Sequence, residues 1–266
     1  MDCVQVFTKN QRQWAAKPLT DEQIAVWKKH LESTGVREVV SHDSYLINLA
    51  APVKETREKS IHLFVDEIER CEALGIPYLV THPGAHVGLG ETKGLQRVAK
   101  ALDRVHKSLP GYGTLTCLEI TAGQGTGLGY RFEHLRTIID SVKEPQRLGV
   151  CFDTAHALAA GYPLDSAAGT RAAFDEFADT LGLERLKVFH LNDSKVPLAK
   201  RVDRHEHIGL GHVSLDAFRF IVNHEDFRNV PKILETPKGP AEDGREWDLV
   251  NLEKLKKLVR KRRGAK

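Results

Sequence analysis

Short runs of β-branched and other apolar residues alternate along the chain with longer segments of helical period. The strand-like runs cover residues 4–7, 37–40, 78–81, 114–120, 148–152, 186–191 and 232–234. Between them, Thr20-Asp21-Glu22-Gln23 forms a capping box that opens a helix toward Ser33. Residues 55–74 place Ile61, Phe64, Ile68, Cys71 and Leu74 on one stripe, with Gly75 positioned to end the helix. Further helices are predicted over 93–108, 132–141, 167–181, 214–223 and 249–262. Strand and helix in regular alternation predict a parallel sheet of βα units, closed as a TIM-type (β/α)8 barrel. Only seven strands are visible, so the barrel is expected to lack its first N-terminal βα unit. No composition shift or low-complexity segment divides the chain, and residues 1–266 read as one domain.

From the second strand onward, each run ends in a potential metal ligand: His42, His82, Glu119, Asp153, His190 and Glu235. In a barrel these six lie on the C-terminal face, where active sites of this fold are built. Two loops add to the set, with His156 three residues beyond Asp153 in DTAH, and Asp203 and His205 in DRH. Taken singly, each fits a strand-end hydrogen bonder, a helix cap or an ion-pair partner. Taken together, nine such groups on one rim are a costly set of unpaired charges unless cations hold them together. They are also too many for one tetrahedral zinc, so two or three ions are implied.

Composition narrows the class. A chain of 266 residues with 41% hydrophobic content can bury one sizeable core. No segment approaches about eighteen consecutive apolar residues, and MDCVQVFTKN lacks the pattern of a secretory signal. Cys3, Cys71, Cys117 and Cys151 form no CxxC pair and read as reduced thiols of a soluble cytoplasmic enzyme. The net charge of +3 comes from the segment 254–266, which carries eight Lys or Arg and no acid, on a body of net −5. These cations suit the last turns of a helix, and the acidic body argues against gripping nucleic acid by bulk charge. AGQGTGLGY (122–130) departs from G-x-G-x-x-G, with Leu at 128, so no nucleotide cofactor is expected. It reads instead as a loop that needs unusual backbone angles near the metals.

The segments FTKNQRQW (7–14), SHDSYLINLA (41–50), THPGAH (81–86), LEITAGQG (118–125), GVCFDTAHALAAGY (149–162), HLNDSK (190–195), DRHEHIG (203–209) and LETP (234–237) resemble endonuclease IV, the zinc-dependent apurinic/apyrimidinic endonucleases of DNA repair. The resemblance covers nearly the whole chain in order. It implies three zinc ions on a TIM barrel, one held by His42, His82 and Glu119. A second would share Glu119 and add Asp153, His190 and Glu235, and the third would take His156, Asp203 and His205. Glu119 and Glu235 are given catalytic as well as ligating roles. The implied reaction is hydrolysis of the phosphodiester 5′ to an abasic site in double-stranded DNA, leaving a 3′-hydroxyl and a 5′-deoxyribose phosphate. Metal chemistry suits it, because zinc lowers the pKa of bound water and neutralises charge on phosphoryl oxygens. Manganese is an alternative occupant of one mixed His/carboxylate site.

The resemblance also implies that Arg12, Tyr45 and Leu46 penetrate the duplex; Lys195 and Arg204 are further candidates to meet phosphate. On residue type alone, Tyr45 and Leu46 also read as a buried apolar segment, and Trp14 as a cap on the barrel edge. The family pattern begins one strand and helix earlier. A barrel without that unit is expected to be open between its first and last strands, exposing a hydrophobic edge and losing stability. A monomer is expected. Two rivals differ in class: a xylose-isomerase-like sugar isomerase or epimerase, which usually holds fewer ions, and a DNA-binding barrel that has lost catalysis.

Overall fold

Seven parallel strands carry the architecture of the computed structural model, which describes residues 2–260. They are β1 (Cys3–Val6), β2 (Glu38–His42), β3 (Tyr78–Thr81), β4 (Leu115–Glu119), β5 (Leu148–Asp153), β6 (Leu186–His190) and β9 (Lys232–Ile233), paired side by side in that order. Between β6 and β9 a short antiparallel pair, β7 (Asp193–Ser194) and β8 (His205–Glu206), rises from the loop region. The helices are α1 (Asp21–Thr34), α2 (Lys54–Leu74), α3 (Glu91–Ser108), α4 (Phe132–Ser141), α5 (Thr154–Ala160), α6 (Ala167–Leu181), α7 (Leu215–Asn223) and α8 (Trp247–Leu258). This is the predicted TIM-type barrel with the seven predicted strands.

Local chemistry explains the element ends. The Thr20–Gln23 capping box forms at the start of α1, and Gly35 and Gly75 close α1 and α2 in the left-handed region. The helix predicted over 249–262 begins two residues earlier and stops at Leu258. Asn223 is the reason: its amide donates to Leu258 O at 2.9 Å, and its Oδ1 accepts from Arg260 N–H at 2.7 Å. Residues 261–266, the end of that prediction and part of the basic segment 254–266, lie outside the described residues. Helix α5 was not predicted; its N-cap is Asp153, whose carboxylate accepts from His156 N–H at 2.8 Å.

Side chains fill the barrel in layers. Val40, Val80, Cys117, Cys151, Val188 and Ile233 form an apolar plug inside the sheet. The larger cluster lies between sheet and helices, with Phe64, Phe132, Phe152, Phe177, Phe189 and Phe218 fully buried. Strands β1 and β9 face each other without backbone pairing. Side chains bridge this seam instead: Cys3 Sγ donates to Lys232 O at 3.3 Å, and Gln5 Nε2 donates to Glu235 Oε1 at 2.6 Å. The expected opening is therefore a narrow seam, and the β1 residues along it are half-buried.

His106, near the end of α3, is buried with neither ring nitrogen hydrogen-bonded. Burial, reinforced by the nearby Arg147 cation, lowers its pKa to about 4, from an ordinary value of about 6.5. Below pH of about 6.5 the unfolded chain binds a proton here that the folded chain refuses. Stability should therefore fall as pH drops from about 6.5 to about 4. Urea unfolding across that range should show a shallower decline in His106→Leu than in the parent; an unchanged slope would refute the assignment.

Candidate metal centre

Parallel strands deliver their last residues to one mouth of the barrel, and the side chains there converge on Glu119. Its carboxylate, at the end of β4, is completely buried. Glu119 Oε2 lies 3.2 Å from His42 Nε2 and 3.3 Å from His82 Nε2. Its Oε1 lies 3.2 Å from His156 Nδ1 and 3.0 Å from His190 Nδ1. His190 Nδ1 is also 3.1 Å from Glu235 Oε2 and 3.9 Å from Asp153 Oδ2. A third corner joins His156 Nε2 to Asp203 Oδ2 at 3.2 Å, and His205 Nε2 to Asp203 Oδ1 at 3.4 Å. All nine residues singled out in the sequence are thus brought together.

The electrostatics are those of a site built around positive charge. Burial alone would keep His42 neutral, but the Glu119 carboxylate overrides it and raises its pKa to about 9. His156 and His190 are likewise lifted well above the ordinary imidazole range against burial, by Asp153 and Asp203 for the first and by Cys151, Glu235 and Glu119 for the second. Burial would raise the acids, yet the surrounding imidazoles hold Glu119 and Glu235 well below the usual carboxylate range and Asp203 at about 2. Each group is stabilised by the opposite charge of its neighbours.

The donor set fits metal ions. Ligand atoms of His42, His82 and Glu119 lie within 4.8 Å of one another, as do those of Glu119, Asp153, His190 and Glu235, and those of Asp153, His156 and His205. Donors around a tetrahedral zinc are separated by roughly 3.4 Å, close to the contacts found here. A further grouping, Glu119, Cys151 and His190, also meets the spacing. Cys151 sits in the apolar plug, and burial pushes its thiol far above the ordinary range, which disfavours the thiolate that a metal needs.

Supporting polar groups were not visible in the sequence as such. Asn192, fully buried, donates to Asp153 Oδ2 at 2.6 Å and accepts Glu235 N–H at 2.7 Å. Asp43 accepts from Thr81 Oγ1 at 2.6 Å and lies 3.4 Å from His42 Nδ1. Gln5 contacts both Glu235 and His190. Amides and hydroxyls carry no ligand signature; only the inclusion of Asn192 in HLND hinted at a role. The glycine-rich loop behaves as predicted, with Gly123, Gly125 and Gly129 at positive φ. A side chain at Gly129 would collide with Pro83 and approach Glu119 O at 3.0 Å. Gln124 from this loop accepts Asp203 N–H at 3.0 Å.

The rim residues are placed as follows. Arg12 is exposed, with its N–H on Asn10 Oδ1 at 2.9 Å. Ser44 Oγ donates to Gln11 O at 2.6 Å, which ties the Arg12 loop to the one after β2. Tyr45 is 69% exposed with its ring 6.2 Å from that of His42, whereas Leu46 packs half-buried on the core. The buried reading of this segment therefore fails for Tyr45 and begins at Ile47. Trp14 is 43% exposed beside Lys59, His62 and Asp66. Lys195 and Arg204 are exposed on the strap between β7 and β8.

Fold and site together define the class: a parallel barrel with a His/carboxylate centre at its C-terminal mouth. Residues 1–256 match the family described as the xylose isomerase-like TIM barrel. The chain is 52% identical to a probable endonuclease 4 of Chloroflexus aurantiacus, over 97% of this chain and 90% of the relative. The crystal structure of endonuclease IV from Thermus thermophilus superposes with a TM-score of 0.82 at 32% identity, covering 97% of this chain and 89% of that one. A D-tagatose 3-epimerase-like protein reaches a TM-score of 0.74 at 18% identity, over 97% of this chain and 88% of that one, and shares the fold. The chain belongs to the endonuclease IV family.

Replacing Asn192 by Ala would leave the Asp153 carboxylate and Glu235 N–H without their buried partner. A loss of about 1–3 kcal/mol in stability is expected. Denaturant unfolding of Asn192→Ala checks it, and a change below about 0.5 kcal/mol would be incompatible with this role.

Proposed function

We propose that this nuclease hydrolyses the phosphodiester 5′ to an abasic site in double-stranded DNA, leaving a 3′-hydroxyl and a 5′-deoxyribose phosphate. The observation that carries the reading is the convergence of four histidines on the buried Glu119 in a chain about half identical to endonuclease 4 relatives. Three zinc ions are the proposed cofactors. His42, His82 and Glu119 would hold one; Glu119, Asp153, His190 and Glu235 a second; His156, Asp203 and His205 the third. Manganese would be accepted at one mixed site. Bound metal would supply an activated water at neutral pH and neutralise charge growing on the phosphoryl and leaving oxygens.

The chain's own residues do the rest. Glu119 offers one oxygen to the His42/His82 side and the other to the His156/His190 side, so it can link two metal sites. Glu235 turns one oxygen to His190 and the other to Gln5 at the seam. At the rim, Tyr45 offers an exposed aromatic face beside the site, and Arg12 a cation on the adjoining loop. Inserted into a duplex, these would take the place of a displaced nucleotide, while Leu46 fills space beneath. An abasic nucleotide leaves the helix at least cost, having no base to unpair or unstack. The protein would work as a monomer in the cytoplasm. Among the described residues no helix is long and apolar enough to cross a membrane, and Cys3, Cys71, Cys117 and Cys151 are unpaired thiols.

Incision of a labelled duplex with one abasic-site analogue tests the reading. Cleavage on the 5′ side should vanish on chelation and return with zinc. Glu119→Gln should lose at least about 1000-fold in kcat and retain fewer zinc ions by mass spectrometry. Full activity of that variant would overturn the site assignment. For the rim, Tyr45→Ala should weaken abasic-duplex binding by about 1–3 kcal/mol while leaving metal content unchanged. Equal affinity in a fluorescence titration would exclude the insertion role.

A further inference from the structure

We propose that Gln5 is a positioning residue of the metal centre, which sets which nitrogen of His190 faces the ions and holds Glu235 against it. This rests on the three-ion reading above. Gln5 stands on β1, the strand that contributes none of the nine ligands. Its amide reaches across the seam and makes two short contacts: Nε2 to Glu235 Oε1 at 2.6 Å, and Oε1 to His190 Nε2 at 2.7 Å.

Donor and acceptor bookkeeping gives these contacts a direction. An ionised carboxylate only accepts, so the Glu235 oxygen must face the amide NH2 of Gln5. The amide oxygen is then turned toward His190. That oxygen only accepts, so His190 Nε2 must carry the hydrogen. The other nitrogen, Nδ1, is left facing Glu119 Oε1 at 3.0 Å and Glu235 Oε2 at 3.1 Å. By the same rule Nδ1 carries a hydrogen toward those two carboxylates. It is thus the nitrogen that points into the proposed second site, where a bound ion would take that hydrogen's place. One amide thus selects the ligating atom of His190 and pins the second carboxylate oxygen of Glu235, leaving Oε2 for the centre. A partner that fixes tautomer and ring orientation in this way typically contributes about 10–100-fold in metal affinity.

Neighbouring groups do not duplicate these two contacts. Asn192 holds Glu235 only through its backbone N–H. His205 Nδ1 lies by Glu235 O, the main-chain carbonyl, at 3.2 Å. Among the described residues, Gln5 is the one outside the ligand set whose side chain hydrogen-bonds the side chains of both His190 and Glu235.

The test is Gln5→Met, which keeps length and shape and removes both hydrogen bonds. Zinc-loaded parent and variant are dialysed against graded chelator, and metal per chain is read by mass spectrometry. The cobalt-substituted forms are compared by visible absorption. The expected result is about 10–100-fold easier loss of one ion, an altered cobalt spectrum, and a fall in kcat on the abasic-analogue duplex with KM held. Equal retention of every ion and an identical cobalt spectrum would overturn the proposal. If Gln5→Met fails to fold, Gln5→Glu carries the test. Its carboxylate still accepts from His190 but meets Glu235 as a like charge, so the same ion should be lost; parent-like retention would overturn the proposal. A parent protein that binds no zinc would instead sink the three-ion reading, and this inference with it.

Discussion

The constraint on which the rest depends is one carboxylate, Glu119, held with no solvent exposure at the centre of four imidazoles. An isolated charge at such depth is untenable, and it survives only if positive charge surrounds it. That requirement selects the architecture. The four histidines come from β2, the loop after β3, α5 and β6, on both sides of β4. In an open, flat sheet those positions would be spread over several strand spacings of about 4.8 Å each. Curling the sheet brings them within 3.3 Å of one carboxylate. Removing a single member of such a buried cluster leaves a charge uncompensated, typically at a cost of about 3–5 kcal/mol.

Beneath the cluster, the plug of Val40, Val80, Cys117, Cys151, Val188 and Ile233 seals the barrel floor. Interactions above it act in a low-dielectric setting, where a misplaced charge is costly and a matched one is strong. Above it, loops must be rigid without being buried secondary structure. Asp193 shows how this is met. Its carboxylate accepts from Ser194, Gly209, Gly211 and Val213 N–H groups, each at 2.8–3.0 Å. The loop carrying Asp203 and His205 is thereby anchored at its far end, while Gln124 secures Asp203 itself. Preorganisation on this scale serves catalysis, since donors already in place need no reorganisation when charge develops.

Much of this was legible because parallel barrels convert sequence order into spatial order. A His, Asp or Glu at the end of a strand-like run must emerge on one face, so His42, His82, Glu119, Asp153, His190 and Glu235 could be grouped without coordinates. Asp203 and His205 were grouped by spacing and motif instead. The failures have physical reasons. Helix α5 is short and is nucleated by Asp153 acting as both cap and proposed ligand, so no apolar stripe announces it. The end of α8 is fixed by Asn223, thirty-five residues from Leu258 in sequence, a tertiary contact with no local signal. Gln5 and Asn192 are amides whose roles exist only through neighbours that the fold supplies. Tyr45 and Leu46 illustrate the limit of apolar patterning: adjacent residues in one run, one largely exposed and one packed on the core.

The seam between β1 and β9 couples folding to the site. Elsewhere in the sheet, neighbouring strands are joined by backbone ladders whose strength does not depend on the centre. At the seam those ladders are replaced by side chains, and one of the two bridging bonds ends on Glu235, a proposed metal ligand. An ion that fixes Glu235 and His190 would also fix what Gln5 grips, and through it the position of β1. Conversely, fraying of β1 would release one restraint on each of those groups. Metal binding and barrel closure are then two readings of the same equilibrium, as expected wherever a site is assembled from segments that only folding brings together. The weakest joint of the sheet and the demand for precise ligand geometry meet at one glutamine.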